Sequence, residues 1–227
     1  MIVLLPGNNR SFRSSVATDV SMYGWLITPR RPMCRSTAAF TGVRFGVDNE
    51  CYSLGDKFDP SRYLRFLNNV AHCSNAGDCL FATAPDVVAD AHATLAKFPA
   101  WCDTIRGLGL PVALVAQDGL ENEAIPWQGF DALFIGGSTT WKLGQAARDI
   151  IREAQSRGKW VHMGRVNGNT RLSYAWKLGV DSVDGTGWAM YPDKHIRRST
   201  NHLTWLRQQL PLLAQGDAPC FTSLATF

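Results

Sequence analysis

The chain lacks any apolar run close to the roughly 20 residues that a membrane-spanning helix needs. Its opening Met1-Ile-Val-Leu-Leu-Pro6 is too short for a signal-peptide core and has no basic start. Neither a membrane span nor export is expected, and the reading places the protein in the cytoplasm, that of the host if it is phage-encoded. Metal-ligand spacing is also missing. Cys73 and Cys79 have five residues between them and no His cluster after them, which fits neither a zinc ribbon nor a finger, so no metal site is expected. The six cysteines then read as reduced thiols, and Asn9-Arg10-Ser11 as no glycosylation site. Nucleotide fingerprints are wanting as well. Gly42-Val-Arg-Phe-Gly46 precedes and enters a strand, and Gly136-Gly137-Ser138-Thr139-Thr140-Trp141-Lys142 lacks the Gly-Lys-Ser/Thr ending of a phosphate loop. Neither NAD nor ATP is supported, and no cofactor is expected.

Charge is sparse, with 19% charged residues and a net +4 that is too mild to separate a nucleic-acid binder from an ordinary enzyme. Its distribution says more. From Met1 to Arg44 there are six arginines (Arg10, Arg13, Arg30, Arg31, Arg35, Arg44) against one acid, Asp19, a net of +5, so the remainder is near neutral. Aromatic residues Phe12, Tyr23, Trp25 and Phe40 are interleaved with these arginines, the mixture that grips phosphates and stacks bases. A second basic set, Lys194, His195, Arg197, Arg198 and Arg207, lies near the carboxy terminus. Solvated charge beside an ordinary core is the plainer alternative for both sets.

What the chain does hold is enough apolar material, 45% over 227 residues, for one globular domain spanning 1–227. Short runs rich in Val, Ile, Leu and Phe alternate with helix-compatible stretches, the pattern of parallel strands joined by crossover helices. Strands are predicted at Ile2–Leu5, Val43–Asp48, Leu80–Ala84, Val112–Ala116, Ala132–Gly136, Trp160–Gly164 and Gly179–Val183. Helices are predicted at about Pro60–Val70, Val87–Arg106, Trp141–Arg157, Thr170–Leu178 and Asn201–Leu213, the last within a carboxy-terminal helix and tail over 193–227. Asp59-Pro60 supplies a cap and a first-turn proline, and Gly158 and Gly179 sit just past helix ends. The polar stretch 8–41, with Pro29 and Pro32, breaks the rhythm and reads as an irregular basic excursion. The fold class is therefore α/β, a compact (βα)8, TIM-like barrel that seven strands leave one short of closure, an open doubly wound sheet being the other arrangement periodicity allows.

Polar residues recur where the apolar runs end: Asp48, Asp86, Gln117, Gly136-Gly137, and the pair Asp181 and Asp184. In a barrel such positions converge on the face that carries active sites. Each has a plainer reading. Asp86 can cap the helix that follows, Gln117-Asp118-Gly119 can be an ordinary turn, and Gly136-Gly137 can simply admit a close helix. Asp48 is a poor cap, since Asp59-Pro60 already starts the next helix, and Asp184 is followed by two glycines that suit a backbone approaching a ligand. In His162-Met-Gly-Arg165-Val-Asn167-Gly-Asn169, His162 is expected to pack in the barrel wall, while Arg165 is as well suited to a phosphate or base as to a structural place.

The order of these pieces, over roughly Val43–Trp188, resembles the tRNA-guanine transglycosylase superfamily, and most closely the phage-type 7-deazaguanine DNA transglycosylases. Val47-Asp48-Asn-Glu-Cys-Tyr52 is similar to the family's Asp-Ser-Gly-Gly-Phe segment, which implies Asp48 as general acid/base. Ala84-Pro85-Asp86 falls where the family recognises the base with an Asp. Val115-Ala116-Gln117-Asp118-Gly119 resembles its base-binding Val-Gln-Gly loop, and Phe134-Ile135-Gly136-Gly137 its Gly-Gly-Leu segment. Gly179-Val-Asp181-Ser-Val-Asp184-Gly resembles Gly-Val-Asp-Met-Phe-Asp, which implies Asp184 as nucleophile; Asp181 is the alternative nucleophile, since one register shift would exchange the two, and otherwise a substrate contact. The chain departs from the family where Asn49-Glu50 replaces a small Ser-Gly pair and where the zinc-binding Cys-x-Cys-x-x-Cys with its later His is missing. The implied function is exchange of guanine in nucleic acid, DNA favoured over tRNA, for a 7-deazaguanine base such as preQ0, through a covalent Asp-glycosyl intermediate. The implied nucleic-acid contacts are Arg10, Arg13, Arg30, Arg31, Arg35, Arg165, Lys194, Arg197 and Arg198. Two other classes fit the same residues: a glycosidase or phosphosugar enzyme holding phosphate at Gly136-Gly137-Ser138-Thr139, and a non-catalytic nucleic-acid-binding protein.

Overall fold

The computed structural model describes residues 1–6, 20–32, 42–190 and 192–213. Eight parallel strands run in chain order around a closed barrel: β1 Ile2–Pro6, β2 Tyr23–Ile27, β3 Phe45–Val47, β4 Cys79–Thr83, β5 Val112–Ala116, β6 Ala132–Ile135, β7 Trp160–Met163 and β8 Ser182–Asp184. Leu4 of β1 pairs with Gly24 of β2 on one side and with Asp184 of β8 on the other, which closes the ring. Of the two arrangements the alternation allows, the structure has the expected TIM-like barrel, completed by an eighth strand.

The eighth strand is β2, and it lies inside the stretch read from sequence as an irregular excursion. Tyr23-Gly-Trp-Leu-Ile27 is a five-residue run without a charged side chain, and all five are buried. Trp25 is wholly buried and Tyr23 nearly so, the latter with its hydroxyl bonded to Thr200. Neither ring is available to stack on a base. The residues 7–19 and 33–41, with Arg10, Phe12, Arg13, Arg35 and Phe40, lie outside the described residues.

Among the described residues the helices are α1 Cys51–Leu54, α2 Pro60–Ala71, α3 Ala91–Gly107, α4 Thr139–Leu143, α5 Gln145–Ser156, α6 Asn169–Lys177, α7 Thr186–Met190 and α8 Pro192–Leu213. Asp59 caps α2 by accepting from the Ser61 and Arg62 amides, with Pro60 in the first turn, as its sequence signature predicts. The helix expected from Val87 starts only at Ala91, capped by Asp90, which accepts from Ala93 N at 2.9 Å. That releases Asp86 from a capping role. The helix expected over Trp141–Arg157 is broken at Gly144, whose extended backbone separates α4 from α5. Gly179 (φ 70°) still belongs to the end of α6, so β8 begins at Ser182 and not at Gly179.

Side chains alternate across a strand, so each strand contributes to two cores. Ile2, Leu4, Leu26, Phe81, Val115 and Phe134 point inward and fill the barrel. Val3, Leu5, Trp25, Phe45, Leu114, Leu133 and Val161 point outward and pack beneath the helices. The inward position of β3 is Gly46, where a Cβ would sit 2.4 Å from the ring of Phe81. The large ring of β4 thus occupies space that its neighbour leaves vacant.

If Trp25 belongs to the outer core, Trp25→Ala should lower the unfolding free energy by about 3–5 kcal/mol. Urea or thermal unfolding measures this loss, whereas a surface ring for base stacking would leave stability within about 0.5 kcal/mol of wild type.

Candidate active site at the carboxy-terminal mouth of the barrel

The residues that follow the strands gather at one mouth. Asp48 after β3, Thr83 closing β4, Gln117 after β5, Gly136 after β6, Gly164 after β7 and Asp184 closing β8 all border a two-lobed cavity. One lobe, about 420 Å³, is lined by Leu4, Pro6, Leu26, Thr28, Arg30, Arg31 and Glu50. The other, about 170 Å³, is lined by Val115, Phe134, Asp86, Gln117, Gly136, Gly137, Tyr52 and Arg165. Asp48 and Asp184 border both lobes and stand at their junction.

Asp48 is fixed by its own turn: its Oδ1 accepts from Glu50 N at 2.9 Å, while its amide donates to Ile27 O at 3.0 Å. Burial pushes its carboxyl up to about 7, and the negative charges of Asp184, Asp86 and Glu50 act in the same direction, against the Glu50 amide. It is thereby poised to hold or release a proton near neutrality.

Asn49 and Glu50, next to Asp48, have structural work to do. Buried Asn49 donates from Nδ2 to Ala84 O and to Asp86 Oδ1, both at 3.0 Å, and its amide donates to Thr83 Oγ1 at 2.9 Å. Glu50, buried and in the left-handed region at φ 67°, accepts from Thr28 Oγ1 and from Arg30 Nε, each at 2.9 Å. The loop after β3 is thus tied to β4 by Asn49 and to the segment after β2 by Glu50.

Asp86 and Gln117 form a buried pair, Gln117 Nε2 donating to Asp86 Oδ2 at 2.5 Å. Gln117 Oε1 accepts from Gly137 N at 3.0 Å and from Ala89 N at 2.9 Å. Burial raises the Asp86 carboxyl above its ordinary range despite the bonds from Asn49 and Gln117. Gln117-Asp118-Gly119 also forms the expected turn, Leu120 N donating to Gln117 O at 3.2 Å, while the Asp118 carboxylate accepts from Ser138 N and Ser138 Oγ at 2.5 and 2.6 Å, which ties the Gly136-Gly137 segment down.

Asp184 accepts on Oδ1 from Arg165 N at 3.0 Å, and His162 Nε2 stands 3.3 Å from the same oxygen. Gly164 leaves the room, since a Cβ there would meet Phe134 at 2.8 Å and Asp184 Oδ1 at 3.2 Å. Arg165 has a positive φ of 59°, a strained setting for a non-glycine residue. That backbone turns its amide onto Asp184. Its guanidinium meanwhile reaches the carbonyls of Gly136 and Gly137 and lies 4.3 Å from the centroid of the Tyr52 ring. Lys142 is buried behind this layer, donating to Gly164 O at 2.6 Å, and burial beside Arg165 pushes its amine down to about 7.

Of the expected site residues, Asp48, Asp184, Asp86, Gln117, Gly136 and Gly137 come together at this mouth, joined at its rim by Arg165, Arg30 and Arg31. Asp181 does not. It precedes β8, accepts from Val161 N at 2.8 Å, and borders a separate hollow with Met1, Arg44 and Trp160 at the opposite end of the barrel. Its role is to join strand ends, and the readings of Asp181 as a substrate contact and as the alternative nucleophile are corrected accordingly. Arg197 and Arg198 are exposed on α8, and the side chain of Lys194 lies outside the described residues. His162 does sit in the barrel wall as expected, but it also touches Asp184. With Lys142, Asn49 and Glu50, it supplies site structure that the sequence reading did not assign. Among the described residues no group of His, Cys, Asp and Glu is arranged to hold a metal ion, and no helix is long and apolar enough to cross a membrane.

Compared with known protein families and with curated protein sequences, the chain matches none.

Because the folded Asp48 carboxyl sits above its unfolded value, its proton favours the folded state. That contribution is fully present below about pH 4 and lost as pH rises through about 7. Asp48→Asn should therefore gain stability relative to wild type across this interval, on the order of 1 kcal/mol per pH unit and less where cavity water screens the charge. Chemical denaturation at pH 4, 5.5 and 7.5 measures the difference, and a constant offset between the two proteins would contradict the assignment.

Proposed function

We propose that the protein is a base-exchange transglycosylase that replaces guanine in nucleic acid, DNA in preference to tRNA, with a 7-deazaguanine base. The observation that carries this reading is the junction of the two lobes at two carboxyl groups in unlike surroundings. A glycosidic bond lying across that junction would have its base in the smaller lobe and its sugar and phosphate in the larger. Phe134 and Val115 offer apolar surface to ring faces, and Asp86, Gln117 and the Gly136-Gly137 backbone offer polar groups to a base edge. Arg30 and Arg31 stand on the sugar side, with Arg30 held by Glu50 at 2.9 Å.

The chemistry follows from the two acids. Asp184 Oδ2, which is left free by the contacts to Oδ1, attacks the sugar C1′. The bond from C1′ to the base breaks, its electron pair leaves with the base, and Asp48 supplies the proton. A 7-deazaguanine base then enters, gives its proton to Asp48, and displaces the carboxylate from C1′. Two displacements at one carbon leave the configuration unchanged. A guanine stacked in a duplex must first be extruded or presented on a single strand. DNA is favoured because the sequence lacks the zinc-binding Cys-x-Cys-x-x-Cys motif of the tRNA-directed enzymes.

The test incubates the protein with guanine-containing DNA or with tRNA and a labelled 7-deazaguanine base, and measures which polymer gains label. DNA should, and Asp184→Ala should abolish both the label and any protein–DNA adduct that survives denaturation. Wild-type exchange by Asp184→Ala, or no label in either polymer, would overturn the proposal.

A further inference from the structure

Behind Asp184 lies a line of buried polar groups that the chemistry above does not use. His162 is wholly buried and inward-facing on β7, with its ring clamped by Phe134 and Phe81, at centroid distances of 4.4 and 5.0 Å. Its Nδ1 is 2.9 Å from Ser182 Oγ, and its Nε2 is 3.3 Å from Asp184 Oδ1. Ser182 Oγ in turn accepts from Trp160 Nε1 at 2.9 Å.

The donor inventory gives this line a direction. An indole N–H can only donate, so Ser182 Oγ is an acceptor towards Trp160 and keeps its own O–H to donate. A neutral imidazole has one donor and one acceptor nitrogen, and burial holds His162 towards the neutral form, lowering its pKa against the pull of Asp184. The other charged group facing it, the Lys142 amine, also disfavours a second proton. With Ser182 donating to Nδ1, the single ring proton sits on Nε2 and points at Asp184. The reverse tautomer would set a nitrogen lone pair against a carboxylate oxygen.

We propose that His162 is a positioning residue for Asp184, locked as the Nε2–H tautomer by the hydrogen-bond chain from Trp160 through Ser182. Together with Arg165 N, it pins Oδ1 and orients Oδ2 towards the cavity. This rests on the reading of Asp184 as nucleophile, and two measurements separate the two ideas. The first is kinetic. His162→Gln retains an N–H donor of similar reach, whereas His162→Leu retains only bulk. With both variants shown folded by their thermal transitions, His162→Leu should slow formation of the covalent DNA adduct by about 10²-fold, the loss seen when one preorganised donor is removed. KM for the incoming base should be unchanged, and His162→Gln should recover most of the rate. The second is independent of any reaction: nitrogen-15 NMR of the imidazole should report protonated Nε2 and bare Nδ1 in wild type, and a mixture of tautomers in Ser182→Ala. A folded His162→Leu with the wild-type adduct rate, a Gln variant no better than Leu, or a protonated Nδ1 in wild type would each overturn the proposal. If wild type exchanges no base, the reading of Asp184 fails and the NMR result alone decides the tautomer lock.

Discussion

The alternation of side chains around a closed ring of eight strands is the constraint on which the site depends. In a closed barrel there is no sheet edge, and every second residue of every strand must face one axis. Inward positions recur at intervals of two: Leu4 and Pro6, Leu26 and Thr28, Gly46 and Asp48, Val115 and Gln117, Phe134 and Gly136, His162 and Gly164, Ser182 and Asp184. The lower member of most of these pairs belongs to the packed interior, and the upper member borders the cavity. Reactive groups are therefore spaced by the barrel itself, and loops need only orient them.

Orientation is where the molecule accepts strain. Glu50 and Arg165, both non-glycine residues with positive φ, each stand beside one of the two central carboxyl groups, Glu50 close to Asp48 in sequence and Arg165 brought to Asp184 by the fold. Glu50 turns its amide onto Asp48, and Arg165 turns its amide onto Asp184. Each strained residue also sends its side chain to a second task, Glu50 to Arg30 and Arg165 to the carbonyls of Gly136 and Gly137. The strained backbone is held because the residue is fixed at both ends. The same logic places buried Asn49 between β3 and β4, where a small Ser-Gly pair could not bridge to Asp86.

Period-two alternation was readable in the amino-acid sequence, and it identifies most of this layer. Asp181 and Asp184 differ by an odd number of positions, so one strand cannot aim both at the axis; strand parity alone would have separated them. The strand Tyr23–Ile27 was obscured by its flanks, because arginines and prolines on either side disguised five buried residues as part of a polar excursion. His162 and Lys142 were less legible. Their importance depends on which side chains lie on the neighbouring element, His162 reaching from β7 to β8 and Lys142 from α4 to the strand end at Gly164. No local pattern carries that information, since each pair is joined only when neighbouring strands take their register.

The Gly136-Gly137-Ser138-Thr139 segment shows how local chemistry decides between readings that sequence leaves open. A helix start with exposed amides attracts a phosphate, and this segment does lead into α4. Its anion is already present, however. Asp118 spans the Ser138 amide and hydroxyl at 2.5 and 2.6 Å, so the negative charge that a phosphate would bring is supplied by the protein, and a second anion there would meet repulsion. That leaves the Gly137 amide directed at Gln117 and the Gly136 and Gly137 carbonyls directed at Arg165. The segment is thereby a wall beside the smaller lobe whose polar groups are held by Gln117, Asp118 and Arg165. The phosphosugar reading thereby loses the free helix start that supported it.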